Sequence, residues 1–377
     1  MRTAEELKKR KVFFIIGKLG IGGAERVVVR LLTHLDRARF SPVLVLFEKE
    51  GAFLEDVPSD VKVLDCGRRK AGGRIRWIGN LVKYFRQERP DVALSFMWFP
   101  NAVTLLSRFL SRIHCGVLVS ERTTILGSRE GFITEFFRRQ SISYLYGAAD
   151  GIVCNSEANR RQFEGIFRHL GDRVVAISNP VDIAEILRLA REGESGEEMP
   201  GDLPWVVGMG RLSPEKGFDL LVRAAGLVRT PFRLLILGEG KEEKALQDLA
   251  RHLGISGRVV FAGFRRNPYP FLGKASIFVL PSRYEGFPNA LVEAMVLGVP
   301  CVATRCPTGP EEILTDGVNG MLVPMEDATT LAETIDRLLN DAALRQRLGC
   351  AAVERVMDYD VNRIARRFEA LFKEVAS

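Results

Sequence analysis

Short runs of apolar and β-branched residues alternate with amphipathic segments along nearly the whole chain, and this alternation limits the possible folds more than any other feature. Examples are KVFFIIG, SPVLVLFE and DVALSF in the first half and WVVGMG, RLLILG and SIFVLPS in the second. Buried apolar strands separated by helices are typical of a parallel sheet that is covered on both faces. The sequence therefore predicts an α/β protein with doubly wound sheets.

The chain is long enough for two such domains, because 377 residues exceed the usual size of one domain. A polar segment rich in Gly and Glu, REGESGEEMPGDLP at 191–204, cannot form a core element and indicates a boundary. We therefore expect an N-terminal domain over 1–183, a linker over 184–204, a second domain over 205–360 and a final helix over 361–377. Two Rossmann-like domains would face each other across a cleft, with ligands at the carboxyl ends of the strands.

The charge of the chain is divided unevenly. Residues 1–183 hold 30 Lys and Arg against 20 Asp and Glu, and the remainder holds 24 against 27, so the two parts carry +10 and −3. Basic runs in the first part, including KKRK at 8–11 and RRK at 68–70, lie near the amphipathic stretches WIGNLVKYFRQER and FITEFFRRQSISYLY. These stretches could lie against an anionic membrane, or they could be solvated faces of ordinary helices. Nucleic-acid binding is disfavoured, because no nucleic-acid-binding module is recognisable.

Cysteine usage and hydropathy indicate a reduced, cytoplasmic protein. The apolar run VFFII is too short for a secretory signal, and no window is long enough for a membrane span. The cysteines are dispersed, without a CxxC pair or a histidine at ligand spacing, which disfavours structural zinc. None of the histidines lies in a recognisable motif, so we expect all of them to be structural. The cysteines are at 66, 115, 154, 301, 306 and 350, and the histidines at 34, 114, 169 and 252.

The stretch SRYEGFPNALVEAMVLGVP, 282–300, places Glu285 and Glu293 on either side of a Gly-Phe-Pro-Asn corner. Helix start and stop signals predict a helix over 289–297, with free amides around Asn289 to Leu291 that can hold a phosphate. Because carboxylates repel phosphate, they would bind the hydroxyl groups that flank it. A nucleotide sugar has hydroxyls on both sides of a diphosphate. The alternative is that Glu293 merely stabilises the start of the helix.

Two further loops follow predicted strands. In GMGRLSPEKG, 208–217, Arg211 and Lys216 flank a Ser-Pro-Glu turn and could converge on one anion, although a lone pair of cations is more often a solvated loop. In GKLGIGGAER, 17–26, three glycines allow a ligand to approach the backbone. Glu25 stands where the dinucleotide-binding fingerprint needs its third glycine. This departure disfavours an NAD-dependent oxidoreductase.

Taken in order, the segments GGAER, GRLSPEKG, SRYEGFPNALVEAM and GPEEILTDGVNGMLV resemble the retaining glycosyltransferases of family 4, which have the GT-B fold. The resemblance extends over nearly the whole chain. Its specific signature is the pattern E-x7-E, here Glu285 and Glu293, combined with Arg211 and Lys216.

The resemblance implies a role for each matching residue. Glu285 would bind donor sugar hydroxyls, Glu293 would bind the ribose, and Arg211 and Lys216 would hold the diphosphate and stabilise the leaving nucleotide. The N-terminal domain would bind the acceptor and the second domain the nucleotide sugar, and the final helix, from about Val361, would cross back to the N-terminal domain. The remaining donor-binding residues would be Gly22 and Gly23 at the phosphates, Gly263 and Phe264 at the base, and the backbone of Phe287, Pro288, Asn289, Ala290 and Leu291 at the sugar and phosphates.

The resemblance also implies a reaction. A hexose or N-acetylhexosamine would be transferred from a nucleotide-diphosphate sugar, with UDP expected, and the anomeric configuration would be retained. No metal or other cofactor is expected. The D-x-D match at Asp358-Tyr359-Asp360 precedes the last predicted helix and is interpreted as a helix-start feature.

The acceptor side departs from many relatives. Where several of them carry a histidine, this chain reads VSERTT, and Glu121 could bind the acceptor, the donor sugar or Arg122. The SER triplet and CPTGPEEIL are similar to members that build lipid-linked oligosaccharides or lipopolysaccharide on a membrane. The resemblance therefore implies a glycan or lipid-linked acceptor and a cytoplasmic enzyme, peripheral on the inner face of the membrane.

Three alternatives share parts of this pattern. An NAD-dependent oxidoreductase has a similar fold class but lacks support from the glycine loop. A sugar-nucleotide epimerase uses two such domains, but the E-x7-E arrangement favours transfer. A non-catalytic scaffold on the membrane would not need the complete set of donor-binding residues that this chain has.

Overall fold

A computed structural model describes residues 9–67, 73–122, 132–192, 199 and 201–376. The chain forms two compact units. Unit 1 contains Met1–Pro180 together with Val361–Ser377, and unit 2 contains Val181–Asp360. The basic run predicted at 68–70, Thr123 and Thr124 of the VSERTT segment, and residues 193–198 and 200 of the predicted linker lie outside the described residues.

The described part of unit 1 contains a seven-stranded parallel sheet, in the order β3-β2-β1-β4-β5-β6-β7. Its strands are rich in Val, Ile, Leu and Phe because both faces of the sheet are covered. They are β1 (Arg10–Ile16), β2 (Phe40–Leu46), β3 (Lys62–Asp65), β4 (Val92–Phe96), β5 (Gly116–Glu121), β6 (Gly151–Cys154) and β7 (Val174–Ala176).

Helices cover both faces of this sheet. On one face lie α1 (Gly23–His34) and α14 (Val361–Val375), and on the other lie α2 (Gly73–Glu88), α3 (Trp98–Ser111), α4 (Phe132–Leu145) and α5 (Glu157–Ile166). The last helix belongs to this unit by its core contacts. Phe372 packs edge-on against Phe14 and Phe40, with ring centroids 6.1 and 5.9 Å apart. A Glu369 carboxylate oxygen accepts a hydrogen bond from the Asp36 amide at 2.9 Å.

Unit 2 repeats the architecture with six described strands, all parallel, in the order β10-β9-β8-β11-β12-β13. They are β8 (Trp205–Met209), β9 (Arg233–Leu237), β10 (Val259–Gly263), β11 (Ile277–Leu280), β12 (Cys301–Thr304) and β13 (Met321–Val323). One face carries α6 (Ile183–Arg191), α9 (Tyr269–Gly273), α10 (Asn289–Val296), α11 (Pro310–Ile313) and α13 (Ala342–Val356). The other carries α7 (Phe218–Leu227), α8 (Glu243–His252) and α12 (Ala328–Asn340).

Helix α6 occupies a part of the chain that we predicted to be linker, beginning at 184. Asp182 caps this helix, because its carboxylate accepts a hydrogen bond from the Glu185 amide at 3.0 Å. Ile186 is buried in the core of unit 2, with Ile183 and Leu189 packed beside it. The prediction of a linker was wrong for residues 184–191. The polar segment that follows led us to extend the linker over a short amphipathic helix.

The strand order of each sheet places one crevice where ligands can bind. In open parallel sheets this crevice lies at the carboxyl ends of the two neighbouring strands from which the order runs in opposite directions. Those strands are β1 and β4 in unit 1, and β8 and β11 in unit 2. Within the described residues, none of the helices combines the length and the apolar character needed to cross a membrane.

Candidate active site

The two loops that leave β8 and β11 carry the strongest of the predicted site residues. The first loop contains Arg211 and a short 3₁₀ helix over Pro214–Lys216, and the second runs from Pro281 to Pro288 and contains Glu285. Both loops start at the crevice of the unit 2 sheet. The fold therefore brings together residues that are 69 positions apart in sequence.

Lys216 and Glu285 form an ion pair at this position. The Lys216 Nζ lies 2.7 Å from Oε1 of Glu285, and Ser282 Oγ donates a hydrogen bond of 2.7 Å to the same oxygen. The Glu285 side chain is only 4% exposed, whereas that of Lys216 is 27% exposed. The pair thus combines a fixed carboxylate with a cation that reaches solvent, an arrangement able to bind hydroxyl and phosphate groups respectively.

Gly217 allows the first loop to approach the second. Its φ of 65° lies in the left-handed region, and a Cβ atom at this residue would overlap the carbonyl oxygen of Pro281. Glycine is suited to this position because it adopts positive φ without steric cost and has no side chain. Lys216 is thereby held beside Glu285.

Arg283 joins the same two loops, and it was not among the residues selected from the sequence. Its amide donates to the Glu215 carbonyl at 2.8 Å, and its Nη1 donates to the Pro214 carbonyl at 2.7 Å. The guanidinium also makes a two-pronged contact with the Asp219 carboxylate, at 2.8 and 2.9 Å. Burial alone would raise the pKa of Asp219, but the hydrogen bonds and charge of Arg283 lower it below its ordinary value. Arg283 therefore fixes the position of Lys216 without needing to touch a ligand.

Glu293 is the fifth residue of α10, just past its first turn, and its side chain is buried. The observed helix, Asn289–Val296 with Pro288 at its N-cap, confirms the helix predicted at 289–297. Two of the amides that we expected to be free are engaged. The Asn289 amide donates to the Phe287 carbonyl and the Leu291 amide to the Pro288 carbonyl, both at 3.0 Å. The tight corner satisfies these groups internally, so the expectation was wrong for these two amides.

Other predicted donor residues lie around the same edge of unit 2. The Arg211 side chain is exposed just after β8, and among the described residues it takes part in no ion pair. Gly263 ends β10 with a φ of 67°, and Phe264, which follows it, is 38% exposed. Phe287 is buried against Tyr359, with ring centroids 5.4 Å apart. Ala290 occupies the first turn of α10.

The glycine loop of unit 1 leads into α1 after β1. Gly22 is the N-cap residue and Gly23 the first residue of the helix. A Cβ atom at Gly22 would collide with the Glu25 carboxylate, which folds back over the start of the helix. Glu25, which stands in place of the third glycine of the dinucleotide fingerprint, thus fills the space beside Gly22.

Glu121 ends β5 and takes part in a buried polar network. Tyr146 Oη donates a hydrogen bond to Glu121 Oε1, and Asn101 Nδ2 contacts the same oxygen at 3.3 Å. Asn101 in turn accepts a hydrogen bond from Ser95 Oγ at 2.7 Å. Burial raises the pKa of Glu121, and the hydrogen bond from Tyr146 offsets part of this effect. Neighbouring Arg122 points elsewhere, to Asn179 Oδ1 at 2.7 Å.

Replacing Glu121 with glutamine is expected to stabilise the protein increasingly as the pH rises. Because the folded-state pKa of Glu121 is raised, the native protein binds a proton more tightly than the unfolded chain, and the wild type loses stability between the unfolded and folded pKa values. Glutamine does not ionise, so its advantage should grow by up to about 1.4 kcal/mol per pH unit in that interval. Urea unfolding between pH 4 and pH 8 measures the difference. Glu55→Gln, at an exposed position, is the control, and an equal pH trend in both variants would contradict the expectation.

The remaining residues considered from the sequence, the D-x-D match and the cysteines, lie in positions that indicate structural roles. Asp358 pairs with Arg355 at 2.5 Å, in the short 3₁₀ helix Met357–Tyr359 that precedes α14. Five of the cysteines are buried, and Cys350 is exposed. Among the residues that the structure describes, no cluster of three or more His, Cys, Asp or Glu side chains is arranged to hold a metal ion.

Comparison with known families accounts for most of the chain. The family model described as Glycosyltransferase Family 4 matches residues 21–185, and the model described as Glycosyl transferases group 1 matches residues 194–355. These matches fall on the two units that carry the glycine loop and the Lys216–Glu285 pair. The chain therefore carries a glycosyltransferase family 4 domain followed by a group 1 glycosyltransferase domain.

Relatives of this glycosyltransferase include enzymes of bacterial glycan assembly. An N-acetylgalactosamine-N,N'-diacetylbacillosaminyl-diphospho-undecaprenol 4-alpha-N-acetylgalactosaminyltransferase of Campylobacter jejuni is 27% identical over 95% of this chain and 98% of its own length. The lipopolysaccharide core biosynthesis glycosyltransferase LpsE of Rhizobium meliloti is 29% identical over 87% of this chain and 88% of its own.

Solved structures confirm the predicted GT-B fold of the glycosyltransferase. Anabaena HepE in complex with UDP matches 97% of this chain and 100% of its own, with a TM-score of 0.79 and 23% identity. Sucrose-phosphate synthase from Thermosynechococcus elongatus matches 97% of this chain and 99% of its own, with a TM-score of 0.80 and 19% identity. At these identities the likeness concerns the fold alone.

Proposed function

We propose that this protein is a retaining, metal-independent glycosyltransferase that moves a hexose or N-acetylhexosamine from a UDP sugar to a lipid-linked or lipopolysaccharide-type glycan. The observation that carries the proposal is the Lys216–Glu285 pair, 2.7 Å apart at the crevice of the unit 2 sheet, with Glu293 on the helix that follows. The names of the C. jejuni and R. meliloti relatives support the class of acceptor, and the HepE complex with UDP supports the donor.

In the proposed reaction, Lys216 and Arg211 neutralise the charge that develops on the leaving diphosphate. Positive side chains aimed at developing charge are among the largest contributors to catalysis. Glu285 binds donor sugar hydroxyls, and Glu293 binds the ribose. The leaving phosphate accepts the proton of the acceptor hydroxyl while this hydroxyl attacks from the same face, so the anomeric configuration is kept.

The other predicted residues complete the proposed site. Glu121 acts on the acceptor side from the carboxyl end of β5. The donor is further bound by Gly22 and Gly23 near the phosphates and by Gly263 and Phe264 beside the base. It also contacts the corner and first turn of α10, at Phe287, Pro288, Asn289, Ala290 and Leu291, where it competes with the internal hydrogen bonds of the Asn289 and Leu291 amides.

Thermal unfolding with UDP, GDP, ADP or NAD, each measured without and then with EDTA, tests the donor site. UDP at about a hundred times its dissociation constant should add roughly 2.7 kcal/mol of stability, and Glu293→Ala should reduce this gain. The matched control is Glu333→Ala, which removes an exposed carboxylate from α12. Stabilisation by NAD and indifference to UDP would refute the proposal, and loss of the UDP effect on adding EDTA would refute metal independence. The anomeric proton of the product, followed by NMR, separates retention from inversion.

Peripheral attachment to the inner face of the cytoplasmic membrane is part of the proposal. The end of α3 exposes Leu106, Phe109 and Leu110, of which Phe109 is 75% exposed. Arg108 and Arg112 lie beside them, and α3 contains no acidic residue. Apolar side chains among basic ones suit an anionic bilayer.

Sedimentation with anionic vesicles at low salt tests this attachment. We expect the wild type to sediment and Phe109→Glu to remain largely in the supernatant, because a carboxylate opposes both the apolar and the electrostatic contribution. Leu227→Glu, which alters an exposed apolar residue of unit 2, is the control. Equal sedimentation of all three proteins, or of none, would exclude the α3 face as the attachment site.

A further inference from the structure

The Glu285 carboxylate is held by one of its two oxygens. Oε1 accepts hydrogen bonds from Lys216 Nζ and from Ser282 Oγ, each at 2.7 Å. Oε2 accepts none from any residue that the structure describes. Ser282 is buried, so its hydroxyl is directed to the protein and not to solvent. The protein therefore fixes one oxygen of this carboxylate and leaves the other for a ligand.

The backbone that carries Ser282 and Glu285 is fixed by β12 and the loop that follows it. Thr308 Oγ1 donates a hydrogen bond to the Glu285 carbonyl, and Thr304 Oγ1, at the end of β12, donates one to the Ser282 carbonyl. Both threonines are buried. The contacts join residues that are 23 and 22 positions apart, and they tie the Glu285 loop to the neighbouring strand of the sheet.

The loop after β12 also lies close to the corner beyond Glu285. A Cβ atom at Gly309 would lie 2.8 Å from Cδ of Pro288, closer than side chains normally approach. Within the loop, the Cys306 thiol donates to the Thr308 carbonyl at 3.4 Å. Burial, together with the negative charge of Glu285, raises the pKa of Cys306 to about 12, so the thiol keeps its proton and this hydrogen bond at neutral pH. Thr308 is thus held in place before a ligand binds.

We propose that Ser282 and Thr308 are positioning residues that orient Glu285 toward the donor sugar, an inference that rests on the proposed function. In the proposed reaction Lys216 is engaged with the diphosphate, which leaves Ser282 as the hydrogen-bond donor dedicated to the carboxylate. Thr308 fixes the carbonyl of the same glutamate. Without these hydroxyls the carboxylate is free to turn, and a displacement of about 1 Å in an active site can cost about 10²-fold in rate.

A purely structural role predicts a different result. Buried hydroxyls commonly serve only to satisfy neighbouring carbonyl and carboxylate groups, and loss of such a bond would disturb the site for every ligand. UDP and a UDP sugar share the nucleotide and differ in the sugar alone. A residue that orients Glu285 should therefore affect the UDP sugar and spare UDP.

Titration calorimetry with UDP and with UDP-glucose, UDP-galactose, UDP-N-acetylglucosamine and UDP-N-acetylgalactosamine tests the inference. We expect Ser282→Ala and Thr308→Val to weaken the UDP sugars that the wild type binds at least fivefold, with UDP binding unchanged within twofold. Thr308→Ser keeps the hydroxyl and should bind as the wild type does. The matched control is Thr334→Val, because Thr334 donates at 2.8 Å to the Thr330 carbonyl within α12.

A double substitution shows whether Ser282 acts through Glu285. In a Glu285→Ala background, Ser282→Ala should weaken the UDP sugar no further, because a positioning residue has no effect once the group it positions is gone. A further loss in that background would overturn the inference. Melting temperatures are recorded for all variants, and the pair Thr308→Val and Thr308→Ser decides the matter if Ser282→Ala does not fold.

The remaining outcomes separate this inference from the proposed function. Equal weakening of UDP and the UDP sugars, undiminished binding of the UDP sugars by Ser282→Ala and Thr308→Val, or failure of the wild type to bind any of the four UDP sugars while it binds UDP, overturns the inference. If the wild type does not bind UDP, the proposed function itself is refuted.

Discussion

Replacement of Lys216 by alanine is expected to lower kcat by about 10²–10³-fold, the loss measured when one charge-stabilising donor is removed from other active sites. Lys216 contacts Glu285 at 2.7 Å and is the cation that the loop geometry directs to the crevice. Its removal takes away the charge that would offset the negative charge on the leaving diphosphate. Initial rates with saturating UDP sugar and a glycan acceptor measure the loss.

The matched control for this experiment is Lys244→Ala, because Lys244 is an exposed lysine of α8 in the same unit. Removing Lys216 also leaves the buried Glu285 carboxylate without its partner, so the melting temperature of each variant must be recorded. A Lys216→Ala enzyme that is folded and retains wild-type kcat would remove this residue from the mechanism. Lys216→Arg keeps the charge and should recover part of the activity.

Substituting alanine for Gly217 is expected to destabilise unit 2 by about 3 kcal/mol or more. The substitution places a Cβ atom against the Pro281 carbonyl and forces an alanine to adopt a φ of 65°. A change of this size should lower the melting temperature by roughly 6–12 °C for a unit of 180 residues. Differential scanning calorimetry of the full chain measures the shift.

Gly254→Ala separates the overlap from the backbone strain. Gly254 has a φ of 70°, close to that of Gly217, but a Cβ atom there would meet no other atom within 4 Å. We expect only about 1–2 kcal/mol of destabilisation from this control. If the two variants melt at the same temperature, the close approach of the loops contributes nothing beyond the strain of a positive φ.

The alternation of strands and helices along the chain was accessible from the sequence, because the strands are short, continuous apolar runs and most of the covering helices have a periodic apolar face. The helix at 289–297 was predicted within one residue, since Pro288 and Gly298 give strong start and stop signals. Glu285, Glu293 and Lys216 were found because their spacing within two local motifs is visible without a structure.

Contacts between distant segments were not accessible in this way. Arg283 joins Pro214 and Asp219 across 69 and 64 positions, and nothing in its own motif distinguishes it from a solvated arginine. The partner of Glu121, which ends β5, is Tyr146, the first residue of a short 3₁₀ helix over Tyr146–Ala148. Such contacts depend on how loops fold over the edge of a sheet, and local sequence periodicity carries no information on that.

The engaged amides of Asn289 and Leu291 show a further limit. Helix start rules predict which N–H groups lack a partner within the helix, but the carbonyls of a preceding proline corner can supply partners from outside it. A phosphate that binds here has to compete with these internal hydrogen bonds. The side chains of Lys216 and Arg211 therefore matter more to the proposed site than the amides do.

Helix α14 gives this protein an unusual order of domain folding during translation. Because Phe372 closes the core of unit 1 against Phe14 and Phe40, the ribosome must make all of unit 2 before unit 1 can be completed. Domains usually fold in the order in which they are translated. Here the later unit can fold first, while the earlier one keeps an apolar groove open on its nascent sheet. Chaperones that bind such grooves should therefore associate with the N-terminal half of the nascent chain until residues 361–376 leave the exit tunnel.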